Sequence, residues 1–474
     1  MDQNQGKGSF ASNFGFLMAA TGSAVGLGNI WGFPYKMGMN GGFAFLLIYI
    51  LMAIFVGYPL VLGEITLGRK TGKAAVQAYA TVDKRFVVNG VFETAVPFIL
   101  LCFYSVLGGI IIKYFVANIG DIFGASWGVG GANSEAYYQS IITDPEMTII
   151  FTLLFIAATA WVVRKGISNG IEIVCKYGIP VLFIMLVITD IRCCTLPGAK
   201  AGLDFMFKPD FTVLQGSGWF KVFATAGSQM FFSLSLASGA LIVYGSYLDR
   251  QENLQKNAAL IPLFDTAAAL LSGLAVLPAL FASGIEPTMG PGVLFVSLQT
   301  VFESMGSTGP FFGTLFYALV LIAVFTSTIG MMEGGIAAMM DARIKKGKTP
   351  NRHFVFAIIT VTTTAGAVLV ALDEFGFRTG FYHPFGLTSW LDVFDLAAEG
   401  ILMPLGGLLM ALLLGWVRRG YLDDEVLRGS NFASKTFVNL CMRWLAPIFM
   451  LFILFVQFSS FFFSDTVWYQ NLMG

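Results

Sequence analysis

The chain has 474 residues, enough for two or three soluble domains, yet 56% are hydrophobic and only 12% charged, half the ~25% of an ordinary globular protein. Mean hydropathy is +0.75, and 28 Lys and Arg balance 28 Asp and Glu. This excludes a soluble enzyme, a disordered chain and a nucleic-acid binder; so much apolar side chain needs a lipid bilayer as its solvent.

The first twelve residues are polar, with no cationic cluster ahead of a short apolar core, so they do not read as a signal peptide. A spanning helix needs roughly 20 mostly apolar residues. Eleven segments qualify: Phe14–Tyr35, Phe43–Leu67, Val87–Ile119, Thr148–Val163, Gly170–Ile191, Trp219–Tyr247, Ala258–Phe281, Phe311–Met340, Phe354–Leu372, Leu391–Val417 and Phe437–Phe463. The fourth is the shortest. An all-α polytopic membrane protein with a single transmembrane domain is expected.

With the N-terminus inside, nineteen Lys and Arg fall in cytoplasmic connections and six outside. That bias sets a cytoplasmic N-terminus, and an odd span count puts the C-terminus outside. The expected location is the plasma membrane, the inner membrane of a bacterial cell. The long connections fall on the outer side; rich in Gly, Pro and aromatics, they suit ordered lids. Of the five cysteines, Cys193 and Cys194 are adjacent, a poor geometry for a mutual disulfide, and free thiols are expected throughout. His353 and His383 lie in polar connections and read neither as metal ligands nor as bases.

Two spans carry interruptions. The first contains Gly22-Ser23-Ala24-Val25-Gly26-Leu27-Gly28-Asn29, and each glycine weakens a helix by ~1 kcal/mol against alanine. The sixth contains Ser233-Leu234-Ser235-Leu236-Ala237-Ser238-Gly239. Carbonyls freed at membrane depth must be satisfied, and cations or a polar substrate can do that. Each interruption lies in the first helix of a five-span half (14–191 and 219–417), with the eleventh span appended. Small residues can also serve close helix packing, but paired breaks in register point to a transporter site between inverted repeats.

"GSAVGLGNIWGFPY", followed by "NGGFAFLLIYI", resembles the first-span signature of the neurotransmitter:sodium symporter family. "QMFFSLSLASG", "AVFTSTIG" and "LDVFDL" resemble its sixth, eighth and tenth spans. The resemblance runs from about Lys7 to the last span. It implies a LeuT-type 5+5 inverted repeat with broken helices 1 and 6 plus one extra helix, and sodium as coupling ion with no other cofactor.

The resemblance also implies sites. One sodium site would comprise Gly22, Val25, Ala323, Thr326 and Ser327, neutral oxygens that suit a small hard cation. The other would comprise Ala24, Asn29, Ser233 and Asp265. Asp265 supplies a carboxylate in an apolar run, which is costly unless it holds a cation or a proton; since Ala269 occupies the position of the family's usual neighbouring acid or hydroxyl, Asp265 reads as the replacement for chloride. The substrate pocket would draw on Ala24, Gly26, Gly28, Tyr104, Phe232, Ser235, Ser238, Ser327 and Met331, with Tyr104 and Phe232 as an aromatic lid. Gly26 replaces the Asp of monoamine carriers and leaves room for a substrate carboxylate. Glu64 would support the unwound sixth span. Lys7 with Asp341, beside Tyr247, would form the inner gate. At the outer gate Asp395 is present, but Gly32 occupies the arginine position, so Asp395 needs solvent, a proton or another cation.

A channel would require a continuous polar pore or repeated filter, and an enzyme a nucleophile with its base or a metal set; the sequence offers neither. The expected activity is sodium-coupled import of a small neutral amino acid, apolar or aromatic. The alternative is an uncharged aromatic or other small solute without a carboxylate, indole-like. Oligomeric state is open.

Overall fold

The computed structural model describes residues 9–130, 133–285, 292–463 and 466–469. Among them nine helices are long and apolar enough to cross a membrane: Phe43–Thr71, Lys84–Ile122, Pro145–Arg164, Ile167–Cys194, Leu254–Ser283, Gly306–Lys345, Arg352–Gly376, Trp390–Val417 and Lys435–Ser460. These are the second to fifth and seventh to eleventh spans. The first is a pair of half-helices, Asn13–Ala24 and Gly28–Met39, bent by 53°. The sixth is Gly218–Ser233 followed, after an irregular turn, by Ala240–Ser246. The described residues contain helices and no strand.

Helix ends carry their own polar partners. Asp144 accepts from the Met147 amide at 3.0 Å, with Pro145 opening the fourth span. That cap sets the span at Pro145–Arg164, longer at both ends than the hydropathy window suggests. Asn253 and Asn351 cap the seventh and ninth spans in the same way. The described parts of the long connections hold helices Ser134–Ile142, Ala199–Phe207 and Val293–Ser304. All five cysteines are free.

Two outward stripes mark the lipid face. On the eleventh span Ile448, Leu451, Phe455, Phe458 and Phe462 are all exposed; on the fifth, so are Ile173, Tyr177, Val181, Ile184, Ile188 and Ile191. Steps of three and four residues put each set on one helix side. Water would not tolerate such continuous apolar stripes. The broken first span sits inside the bundle, against the fifth, seventh and eighth spans. The sixth span's second half packs on the second span at glycine contacts. A Cβ on Gly68 would lie 1.9 Å from the Ile242 carbonyl oxygen, and one on Gly245 would lie 2.5 Å from that of Ile65.

Where the second span ends, Arg69 is buried. Its Nε donates to Glu425 Oε1 at 2.9 Å, and its other nitrogens donate to the carbonyls of Glu425, Glu252 and Asp249. Removing one partner of a buried pair leaves an uncompensated charge at a cost of about 3–5 kcal/mol. Arg69→Ala should therefore lower the thermal unfolding midpoint in detergent by several degrees or more, and an unchanged midpoint would refute this.

Candidate functional site

The first span opens at Val25, whose backbone is extended (φ −68°, ψ 104°). Asn29 folds back so that its Oδ1 accepts from the Gly26 amide at 3.0 Å. Gly22 and Val25 turn their carbonyls to the eighth span, where Ser327 Oγ donates to both, at 3.1 and 3.3 Å. Thr326 Oγ1 bonds back to Ile322 O and Ala323 O at 3.0 and 3.1 Å. A Cβ on Gly22 would lie 3.0 Å from Thr326 Cβ, so glycine lets the backbones touch. The five residues expected as one sodium site thus come together as an uncharged oxygen cluster.

A second cluster stands at the other side of the break. Asn29 Nδ2 donates to Ser233 Oγ (2.9 Å), Asp265 O (3.0 Å) and Asp265 Oδ1 (2.7 Å). Ser233 Oγ approaches both carboxylate oxygens, at 3.1 and 2.9 Å. Tyr49, which the sequence reading missed, donates its hydroxyl to Asp265 Oδ2 at 3.0 Å and to Ser233 Oγ at 3.2 Å. Asn29, Tyr49 and Asp265 are each fully buried. Ala24, the fourth residue expected here, ends the first half-helix and is buried beside Gly26.

The sixth-span break is strained and braced. Ser235 (φ 50°), Ala237 (φ 54°) and Gly239 (φ 71°) all take left-handed backbone, which costs a non-glycine residue about 1–2 kcal/mol. Glu64 Oε1 accepts from the Ala237 amide at 2.6 Å. A second carboxyl, Glu93, lies beside it, its Oε1 accepting from Tyr79 and Asn89 at 2.6 and 3.0 Å. Glu93 was not foreseen. Its polarity in an apolar run was visible, but its partner was not.

The two breaks face each other directly. Ser235 Oγ donates to Ser23 O at 3.0 Å, and Ser238 Oγ to Ser235 O at 2.6 Å. Gly28 lies under the Phe232 ring, where any Cβ would come within 2.8 Å of it. A Cβ on Gly26 would come 2.7 Å from Ser327 Oγ. Tyr104 and Phe232, the two rings read from the sequence as a lid, meet edge to face at 6.2 Å between centroids. Met331 is buried one turn beyond Ser327.

A cavity of about 620 Å³ lies beyond the lid, bordered by Lys36, Phe232, Asp395 and Glu399. At the opposite end a larger one, about 1380 Å³, is bordered by Phe10, Tyr247 and Asp341. There Asp341 Oδ2 accepts from the Ala74 amide at 2.7 Å. Lys7, its expected partner, lies outside the described residues. Tyr247 donates instead to Glu333 Oε1 at 3.2 Å, and Glu333 pairs with Arg352 at 2.6 Å, a contact the sequence reading did not foresee. Gly32 bears no charge to offer Asp395; its nearest side chain is Gln229.

Facing helix breaks between two end cavities, with oxygen clusters at both ends of the first break, have the geometry of an ion-coupled secondary carrier. The comparisons agree. A model of the sodium:neurotransmitter symporter family matches residues 7–129 and 140–471. An uncharacterised sodium-dependent transporter of Bacillus subtilis, YhdH, is 36% identical over 454 residues, 93% of this chain and 95% of the relative. An uncharacterised sodium-dependent transporter of Haemophilus influenzae is 31% identical over 469 residues, 97% and 99% of the two chains. The crystal structure of MhsT in complex with L-phenylalanine matches with a TM-score of 0.84 and 34% identity, covering 95% of this chain and 100% of MhsT. The chain belongs to the sodium:neurotransmitter symporter family, a multi-pass membrane transporter that is a sodium-dependent symporter.

Proposed function

We propose that the chain imports a small neutral amino acid, apolar or aromatic, together with sodium by alternating access. The observation that carries this reading is the pair of joined breaks around Gly26. Between them stand bare backbone, the hydroxyls of Ser235, Ser238 and Ser327, and the apolar surfaces of Phe232 and Met331. Half-helix ends at such a break suit a carboxylate and its cations, and the missing side chain at Gly26 leaves space for that carboxylate. Tyr104 would donate its hydroxyl to it. MhsT, similar over nearly the whole chain, was solved with L-phenylalanine.

In this reading Gly22, Val25, Ala323, Thr326 and Ser327 hold one sodium ion. Ala24, Asn29, Ser233 and Asp265 hold the other. The two five-span halves work as inverted repeats, the N-terminus is cytoplasmic, and the Lys36 cavity opens to the outside of the plasma membrane. At ~100 mV one charge supplies ~2.3 kcal/mol and a tenfold gradient ~1.4 kcal/mol, so one sodium ion could concentrate a neutral substrate roughly several hundredfold.

Proteoliposomes with sodium outside and labelled leucine, phenylalanine, tryptophan, lysine, glutamate and indole would test this. Concentrative uptake of an apolar amino acid in sodium but not in choline buffer is expected. Uptake of indole alone would favour a solute without a carboxylate, and equal uptake in the two buffers would refute sodium coupling to that solute.

A further inference from the structure

Among the described residues no arginine pairs with the tenth-span acid Asp395, and Gln229 stands against Gly32 instead. Its Nε2 donates to Gly28 O at 2.7 Å, and its Oε1 lies 3.0 Å from where a Cβ on Gly32 would stand. That Oε1 is buried and has no hydrogen-bond partner among the described residues. A long side chain at position 32 would collide with the amide.

The cation is found one helical turn further on. Lys36 lies four residues beyond Gly32 on the same half-helix, and so on the same face. Its Nζ stands 5.9 Å above the centroid of the Phe232 ring, the sixth-span half of the lid. It borders the cavity that Asp395 and Glu399 also border. Those two acids are themselves four residues apart on the tenth span and present one face. Lys36, Asp395 and Glu399 thus share one cavity above the Phe232 ring. Phe232 in turn meets Tyr104, the lid's other ring. One ammonium and two carboxyl groups therefore border the same space above the aromatic pair.

We propose that Lys36 is the cation of the outer gate, moved one turn outward from position 32, and that the adjacent acids Asp395 and Glu399 are together its catch. The inference rests on the transporter reading above for its sense of outer and inner.

The distance from Lys36 to the acids is longer than an ion-pair contact, since no such pair joins them among the described residues. Closing the mouth fully would shorten it. A displaced gate of this kind also leaves the lid rings as the inner seal and the charges as the outer one.

Labelling of a thiol behind the lid tests the gate without any substrate. Met331→Cys places that thiol on the eighth span, and the parent chain gives the background from native cysteines. The reagent is a neutral, membrane-impermeant maleimide added outside in sodium buffer. Lys36→Gln should raise the labelling rate at least fivefold, while Lys36→Arg should stay within twofold of the parent. Lys36→Glu should label fast, and Lys36→Glu with Glu399→Lys should return most of the way to the parental rate. An unchanged rate in Lys36→Gln would overturn the proposal. So would a swap that labels as fast as Lys36→Glu alone. If neither Asp395→Asn nor Glu399→Gln opens the mouth, the two acids are not the catch. A variant that fails to fold is recognised by its unfolding midpoint, and the Arg and swap variants then decide. A chain that moves no compound of the uptake panel would still give these rates, so failure of the substrate reading is separable.

Discussion

Replacing Thr326 by valine and Ser327 by alanine together will abolish sodium-dependent uptake and leave a folded protein. Thr326→Val keeps the volume and removes the hydroxyl. In the structure that hydroxyl bonds only to carbonyls of its own helix, Ile322 and Ala323, so the fold loses little. Ser327 is different. Its hydroxyl ties the eighth span to Gly22 and Val25 across the break, and alanine leaves those carbonyls without it. A buried acceptor that loses its partner costs about 1–3 kcal/mol. Two lost oxygen ligands together would lower cation affinity by roughly a hundredfold or more. Uptake as a function of sodium concentration reads this directly. Thr326→Ser, which restores the hydroxyl, should recover near-parental sodium dependence. If the double variant still responds to sodium like the parent, the cluster between the first and eighth spans does not hold the coupling ion.

The same residues show why parts of this molecule can be read from sequence and others cannot. The breaks were legible because they are local: three glycines in Gly22–Gly28 and three serines in Ser233–Ser238 weaken a helix wherever they stand. The spans were legible because lipid imposes a length and a composition on every one of them. Tyr49 was not legible. Its partner Asp265 is 216 positions away, and a tyrosine in an apolar run gives no sign of which acid it will meet. Glu93 and Glu64 likewise converge on the sixth-span break from two different helices. The outer gate is the sharpest case. Gly32 could be seen as a loss, but the substitute at Lys36 needed the helical geometry that places it over Phe232, and Glu399 needed the turn that sets it beside Asp395. The start of the fourth span was missed for another reason: Asp144 and Pro145 are polar or neutral in hydropathy, although they begin the helix.

Transport by the parent chain will be independent of chloride, and Asp265→Asn will bring chloride dependence in. Asp265 sets a carboxyl in a fully buried position, and beside a bound cation it would be ionised. Its carboxylate takes the hydroxyl of Tyr49, the hydroxyl of Ser233 and the amide of Asn29 at 2.7 to 3.1 Å. The donors that could hold a mobile anion here are therefore already engaged by a fixed one. A unit charge about 4 Å from a cation contributes on the order of 4 kcal/mol at an effective dielectric constant of ~20, part of which is offset by the cost of burying the carboxylate. Asparagine removes that charge and turns one donor toward Tyr49 and Ser233, freeing at least one hydroxyl. The apparent sodium affinity should fall about tenfold or more. Chloride, bound by the released hydroxyls, should restore part of it, while gluconate, too large for the space, should not. Uptake across a sodium series, with chloride or gluconate as the anion, measures both effects. A parent chain stimulated severalfold by chloride would show that Asp265 does not stand in for the anion, and that Tyr49 and Ser233 turn outward to bind it.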